Sequence, residues 1–259
     1  MSSRPAVARE AATVVLARDA AGGIEVLLLE RHRASPMAPG AFAFPGGRVE
    51  AGDGGPEWEP FCRGLTVTAA AAVLADVQPA ARAIGFWVAA LREAFEEAAI
   101  LLAYDRDGQP ADGERLRNAR SRATEPGAFR RLLAAEALVL ATDRMAYWAH
   151  WITPEERPVR YDTRFFVAMA PPDATAEPDG VEIVGARWLT PGEALAHHQA
   201  GAMLLPGVTR EILTSVMKHG SASALLAAAA SRQIRPIRPR IVLADGQERI
   251  LLPDDPGWY

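Results

Sequence analysis

A chain of 259 residues, 49% hydrophobic and 23% charged, is long enough to bury a substantial core and has the make-up of an ordinary globular protein. Its net charge of −4 gives no electrostatic reason to bind nucleic acid or an anionic membrane. The lone cysteine, Cys62, excludes an intrachain disulfide framework or a cysteine zinc site. No apolar run reaches membrane-spanning length once its Arg residues are counted, so no membrane partner is expected. Lys218 is the only Lys, a sign of codon bias rather than of phosphate binding, since many Arg residues fall in helical surface stretches. Met1-Ser2-Ser3-Arg4-Pro5 lacks a secretory apolar core and Gly257-Trp258-Tyr259 is not a Ser-Lys-Leu address, so the cytoplasm is the expected compartment.

In chain order, Ala11 to Ala17 and Ile24 to Leu29 read as strands joined by the turn Asp19-Ala20-Ala21-Gly22-Gly23. A short strand over Phe42 to Phe44 runs into a glycine loop. Gly54 to Pro60 is a loop by composition, and Thr68 to Val77 reads as an Ala-rich helix. Pro79 suits the first turn of a new helix, because its missing N–H would be unpaired there anyway. That helix is expected to end near Tyr104. Helices are expected from about Gly113 to Arg122 and from Pro126 to Ala137. Alternating patterns predict strands over Arg144 to Ile152, Thr163 to Met169 and Val181 to Leu189. Pro191 to Ala200, Val208 to Lys218 and Ser221 to Ser231 read as helices. Ile234 to Leu243 and Gln247 to Leu252 read as a terminal hairpin turning at Asp245-Gly246. Strands and helices in this order do not alternate strictly, which argues against a doubly wound parallel sheet.

The run Leu91-Arg92-Glu93-Ala94-Phe95-Glu96-Glu97 carries the chemistry. Positions three and four apart share a helix face, so Glu93, Glu96 and Glu97 lie together while Leu91, Ala94, Phe95, Ala98 and Leu102 form the apolar side. Like charges at this spacing destabilise an isolated helix by about 0.2–0.5 kcal/mol per pair. Arg92, four residues before Glu96, offsets part of this, and a hard divalent cation would offset the rest. Alone, the run is also compatible with a solvated acidic face. Upstream, Phe44-Pro45-Gly46-Gly47-Arg48 is a glycine-punctuated turn whose amides could approach an anion closely. An anion loop followed by a carboxylate helix is the combination that diphosphate chemistry requires.

These residues resemble a split Nudix box, the signature of the Nudix hydrolases. Gly47 and Asp53 have five residues between them, and Arg92-Glu93-Ala94-Phe95-Glu96-Glu97-Ala98-Ala99-Ile100 follows. Asp53 stands where the box carries Glu, and Ala99 where it carries Gly. An insertion of roughly 30 residues, the size of a short helical hairpin, replaces the short link between the halves. With Met37-Ala38-Pro39-Gly40-Ala41, Trp151-Ile152-Thr153-Pro154 and Asp162-Thr163-Arg164-Phe165-Phe166, it is similar to the branch that includes the peroxisomal coenzyme A diphosphatases. The resemblance covers the chain to about Pro206.

It implies an α+β fold, an α/β/α sandwich with a mixed sheet, as one domain over residues 1–259. The box insertion falls at about 54–80, and a C-terminal helical and hairpin extension at about 206–259. It implies Mg²⁺ or Mn²⁺ as cofactor, held by Glu93, Glu96 and Glu97. Glu96 and Glu97 are expected as direct ligands, and Glu93 as a ligand or as the group accepting a proton from water. Arg92 is expected to orient Glu96, and Gly46 and Gly47 to bring backbone to metal or phosphate. Asp53 is expected either to hydrogen-bond within its loop or to bind metal, and Glu182 to be an extra metal-binding or basic carboxylate or a solvated strand end. Arg31, Arg33, Arg48 and Arg164 are candidate phosphate partners, Arg164 having the best case. The Gly replaced by Ala99 is expected to serve close helix packing.

The implied activity is hydrolysis of a diphosphate joining a nucleoside to another group, with coenzyme A or acyl-coenzyme A the favoured substrate. Pro36 stands where that branch carries an Arg, which leaves ADP-ribose, dinucleotides and a non-hydrolysing nucleotide sensor as alternatives. The insertion and terminal hairpin are open to two uses, a homodimer interface or a cover over an acyl chain.

Overall fold

The structure is a computed structural model that describes residues 5–111, 113–120, 127–171, 173–244, 247–256 and 258. Strand β1 (Arg9–Ala20) and β2 (Gly23–Arg31) form a hairpin paired from Ala17↔Val26 to Ala20↔Gly23, then diverge. The returning chain fills the gap between them. β3 (Phe42–Ala43) pairs with β2, and β4 (Gly46–Arg48) pairs with β1. Between them Phe44-Pro45 crosses from one strand to the other, and the Pro45 carbonyl accepts from Val14 N–H at 2.9 Å. The single short strand expected here is therefore two, and the glycine turn is itself part of the sheet.

The insertion starts with a 3₁₀ helix over Pro56–Phe61, where composition predicts a loop. Its Trp58 is buried and donates its indole N–H to the Gly52 carbonyl at 2.7 Å. Helix α1 (Val67–Val73) follows, capped by the Thr66 hydroxyl, which accepts from Ala69 N–H. A 3₁₀ turn at Ala80–Arg82 leads into α2 (Ile84–Ala98), so Pro79 lies ahead of that turn rather than in the helix. The two ends of the insertion touch. A Cβ on Gly85 would sit 3.0 Å from Gly54 N and 3.1 Å from the Asp53 carbonyl carbon. Glycine in a helix costs roughly 1 kcal/mol against alanine, and here it lets the two separated box halves pack together.

Helix α2 is apolar on nearly every side, Glu93 and Glu96 being its only half-buried positions, which is the pattern of a core helix. It ends at Ala98, not near Tyr104, because Ala99 turns left-handed at φ 55, ψ 24. The Ala99 N–H still bonds to Phe95 O at 3.0 Å. This corrects the packing role expected for a Gly at this position: the requirement is backbone handedness. An L-residue there costs about 1 kcal/mol or more, so Ala99→Gly is expected to stabilise the fold by about 1 kcal/mol. A higher denaturant midpoint at unchanged slope would record that gain; an unchanged midpoint would contradict it.

Strand β5 (Ala103–Tyr104) forms a small ladder that the sequence does not announce. Beyond it come α3 (Gly113–Ala119), α4 (Ala128–Glu136) and the ladder's other strand, β6 (Val139–Leu140). The expected ends of these helices at Arg122 and Pro126, and the turn at Asp245-Gly246, lie outside the described residues. Strands β7 (Met145–Ile152), β8 (Tyr161–Met169) and β9 (Ile183–Leu189) follow as expected. Helices α5 (Pro191–Gln199), α6 (Gly207–Val216) and α7 (Ala222–Ala230) come next, α5 opening on a capping box between Thr190 and Glu193. β10 (Pro236–Ile237) adds to the sheet beside β7, and β11 (Arg240–Ala244) with β12 (Gln247–Leu251) makes a separate hairpin.

The main sheet runs β10-β7-β8-β1-β2-β3, with β4 on β1 and β9 on β2. β1–β8 and β10–β7 are parallel and the other pairs antiparallel, so the sheet is mixed as expected. Alternate residues face opposite layers. Ala12, Val14, Leu16, Leu27 and Leu29 pack with α2, whereas Val15, Ala17, Val26 and Leu28 pack with α6 and α7 through Leu213, Val216 and Leu225. Helices of the expected C-terminal extension thus form the second layer of an α/β/α sandwich. No helix among the described residues is long and apolar enough to cross a membrane.

Candidate active site

Helix α2 crosses beneath the point where β1 and β2 part, which brings the box carboxylates to the glycine turn. The Glu97 carboxylate accepts the Gly46 N–H at 3.0 Å. The Glu93 carboxyl lies flat against Gly47, where a Cβ would come within 2.5 Å of its Cδ and Oε1. Gly46 is constrained from the other side, since a Cβ there would meet Ala12 O at 2.6 Å and Thr13 Cα at 2.7 Å. Neither glycine has a positive φ. Both are needed for close approach rather than for an unusual backbone.

Arg92 organises the acidic face. Its Nε and Nη2 donate to the two oxygens of Asp53 at 3.2 and 3.1 Å, and Nη2 also donates to the Arg48 carbonyl at 2.9 Å. Its Nη1 lies 2.9 Å from both Glu93 Oε1 and Glu96 Oε2. Arg92 and Asp53 are 6% and 3% exposed, so this two-pronged pair is shielded from water. Burial by itself would lower the Arg92 value, but the Glu93, Asp53 and Glu96 carboxylates together outweigh it and push the value higher, fixing its charge. Asp53 also accepts Glu50 N–H at 2.8 Å, so of its two expected roles the structure displays the loop-holding one. That partnership joins the two box halves, and no spacing in the sequence announces it.

Burial dominates the electrostatics. Desolvation lifts Glu93 to about 7 against the pull of Arg92, and lifts Glu96 and Asp53 in the same direction. Glu97 is raised well above the ordinary carboxylate range, by its own burial and then by the Glu93 charge, with the Gly46 N–H and Arg31 opposing. Among the described residues, no three carboxylate, imidazole or thiol groups converge closely enough to hold an ion by themselves. The three glutamates share a face without forming a closed cage, because Arg92 draws Glu93 and Glu96 toward itself. Mg²⁺ keeps several waters and needs only one or two protein carboxylates. Buried oxygen donors with raised values and too little positive charge around them fit such an ion.

The other candidates divide. Arg31 is near enough to act on Glu97 but is bonded to its own loop, donating to Met37 O at 3.2 Å and to Ser35 Oγ at 3.2 Å. Glu182 is exposed, just ahead of β9, and its charge also bears on Glu97. Asp179, which no motif flags, accepts the N–H groups of Val181, Glu182 and Ile183 on one oxygen at 2.6, 2.8 and 3.1 Å and so sets where Glu182 sits. Arg48 is exposed on β4 and contributes its carbonyl to Arg92. Arg164 is not directed at the turn. Its guanidinium is committed to Asp162 and Asp76, each at 2.6 Å, which corrects its expected place as the best-supported phosphate partner.

A family model described as the NUDT19 Nudix domain matches residues 8–208. The acyl-coenzyme A diphosphatase NUDT19 of Gallus gallus is 32% identical over 237 residues, covering 72% of this chain and 62% of that protein. The Homo sapiens protein of the same name is 28% identical over 224 residues, covering 72% and 58%. The chain therefore spans less than two thirds of the length of these curated relatives. A crystal structure of a NUDIX hydrolase from Alicyclobacillus acidocaldarius superposes with a TM-score of 0.72 at 27% identity, covering 89% of this chain and 99% of that one. With a carboxylate helix meeting a glycine turn inside this sandwich, and a family model matched over most of its length, the chain belongs to the Nudix hydrolase family.

Proposed function

We propose that this protein is a divalent-metal-dependent pyrophosphohydrolase that splits the diphosphate of coenzyme A or an acyl-coenzyme A by attack of water on phosphorus. One observation carries the reading: Glu97 and Glu93 lie directly against Gly46 and Gly47, so carboxylate and backbone amide converge on one place. The names printed for the chicken and human relatives support the substrate class.

A divalent ion such as Mg²⁺ or Mn²⁺ would supply the positive charge that lowers the electrostatic barrier an anhydride presents to a nucleophile. Glu97 and Glu96 are the carboxylates assigned to hold it. Glu93, with a value of about 7, is suited to accept a proton from water near neutral pH. Arg92 holds Glu93 and Glu96 in place from behind, and its attachment to Asp53 and the Arg48 carbonyl keeps it from turning toward substrate. Arg48, on the glycine turn itself, and Arg31, whose charge reaches Glu97, are assigned to the substrate's phosphates.

The test is a panel of coenzyme A, acyl-coenzyme A, ADP-ribose and dinucleotides, with and without Mg²⁺, read by product mass. Metal-dependent cleavage with coenzyme A esters leading in kcat/KM is the expected result. Preferred cleavage of ADP-ribose would overturn the substrate assignment, and binding without cleavage would overturn the hydrolase reading.

The raised carboxylates also predict a linkage between metal and pH. Glu93 carries a folded value of about 7 against an ordinary 4.5, so its contribution to stability is full below about 4.5 and is lost as pH rises through about 7. A divalent cation favours the ionised form. The rise in Tm on adding Mg²⁺ should therefore grow between about pH 5 and about pH 8. A pH-independent rise would place the ion elsewhere.

A further inference from the structure

Among the described residues outside the site, the most deeply buried charged side chain is Arg164, in the middle of β8 and 2% exposed. Across the sheet it lies in one row with Ala12 and Gly47 on one side and His150 on the other. Its Nη1 donates to Asp162 Oδ1, which also meets His150 Nε2 at 2.5 Å. Its Nη2 donates to Asp76 Oδ2, on the box insertion. The guanidinium stacks over Phe86 of α2, 4.7 Å from the ring centre, and the next residue, Trp87, packs on Phe166 of β8 at 4.7 Å. Its Nε has no hydrogen-bond partner among the described residues.

We propose that Arg164 is a positioning residue, gripping Asp76 so that the returning arm of the insertion delivers α2 at the tilt that sets its carboxylates against the glycine turn. This rests on the hydrolase reading above. The arm from Asp76 to Ala83 runs straight into α2 and is fastened twice, by Asp76 to Arg164 of β8 and by Arg82 to Glu10 of β1 at 2.5 Å. Phe86 lies under Arg164 at one end of α2, and Glu93 touches Gly47 further along. Seven residues of helix separate them by about 10 Å, so a tilt of about 6° at the Phe86 end moves Glu93 by about 1 Å. Misplacement on that scale costs up to about a hundredfold in rate. The side chain of Asp76 is 53% exposed, whereas Arg164 is buried. Neutralising the carboxylate turns a charge-assisted bond into a weaker neutral one and so loosens the arm at little cost in packing, while the guanidinium keeps Asp162.

The experiment compares full-length wild type with Asp76→Asn and Asp76→Glu. Steady-state kinetics on the wild type's best substrate are combined with hydrogen exchange of the amides in 84–98. Asp76→Asn should fold, lose about tenfold in kcat at a KM within about twofold, and exchange faster in α2. Asp76→Glu, which restores the charge, should recover most of the kcat and the protection. Unchanged kcat and exchange in Asp76→Asn would overturn the proposal. A raised KM at intact kcat would do the same, by making the pair a substrate contact, and so would loss of the fold, by making it plain structural support. If the wild type cleaves nothing, the hydrolase reading fails by itself, and the exchange data still decide whether Asp76 holds α2.

Discussion

Glu97→Gln is expected to lower kcat by about a hundredfold or more while leaving the thermal midpoint unchanged or higher. Glu97 is 6% exposed, and among the described residues the one hydrogen bond it accepts comes from Gly46 N–H, which a glutamine oxygen accepts equally well. What the substitution removes is the charge. That charge is unfavourable among these protein groups alone, since burial and the neighbouring Glu93 both oppose ionisation. Removing it relieves the fold and, on the assignment proposed above, takes from a divalent cation its most buried donor. Opposite movements of stability and rate are the signature of a group kept for function. Kinetics at saturating Mg²⁺ beside a melting curve will read both, and unchanged turnover would reject the assignment.

The two glycines of the turn should fail in different ways. Gly46→Ala places a methyl 2.6 Å from Ala12 O and 2.7 Å from Thr13 Cα, backbone atoms of a central strand that have nowhere to go. Overpacking of this kind costs about 1–3 kcal/mol, so the variant should lose stability first. Gly47→Ala places its methyl within 2.5 Å of the Glu93 carboxyl, the far end of a side chain that can swing aside. That variant should fold nearly as well as wild type yet lose about tenfold to a hundredfold in kcat, because Glu93 is pushed off the turn. Melting curves and turnover measured together decide it. Equal behaviour of the two variants would contradict the division of labour between Glu93 and the strand.

The helix that carries Glu93, Glu96 and Glu97 is legible in the sequence because helical period alone places three carboxylates together and Leu91, Ala94 and Phe95 behind them. The strands β1, β2, β7 and β8 are legible from their apolar patterning and bounding turns, whereas the mixed sheet is what the Nudix resemblance implies. The division of the glycine turn between two strands is not, because it depends on where β1 and β2 diverge, a property of the assembled sheet. Asp53 finds Arg92 across the insertion, a contact that no local spacing encodes. Gly85 offered a signal, a lone glycine in an apolar helix, whose meaning appears only when Asp53-Gly54 is seen to pass beside it. Arg164 shows the opposite limit. A cation in a family-like segment suggests phosphate, yet its register opposite His150 and its reach to Asp76 place it in a buried ion cluster.

The most direct measurement is a titration with Mn²⁺ followed by electron paramagnetic resonance, on wild type and Glu97→Gln side by side. Saturable loss of the free-ion signal in the wild type, markedly weakened in the variant, is the predicted result. Equal uptake by both proteins, or none by the wild type, would contradict the claim that these carboxylates gather a divalent cation against the glycine turn.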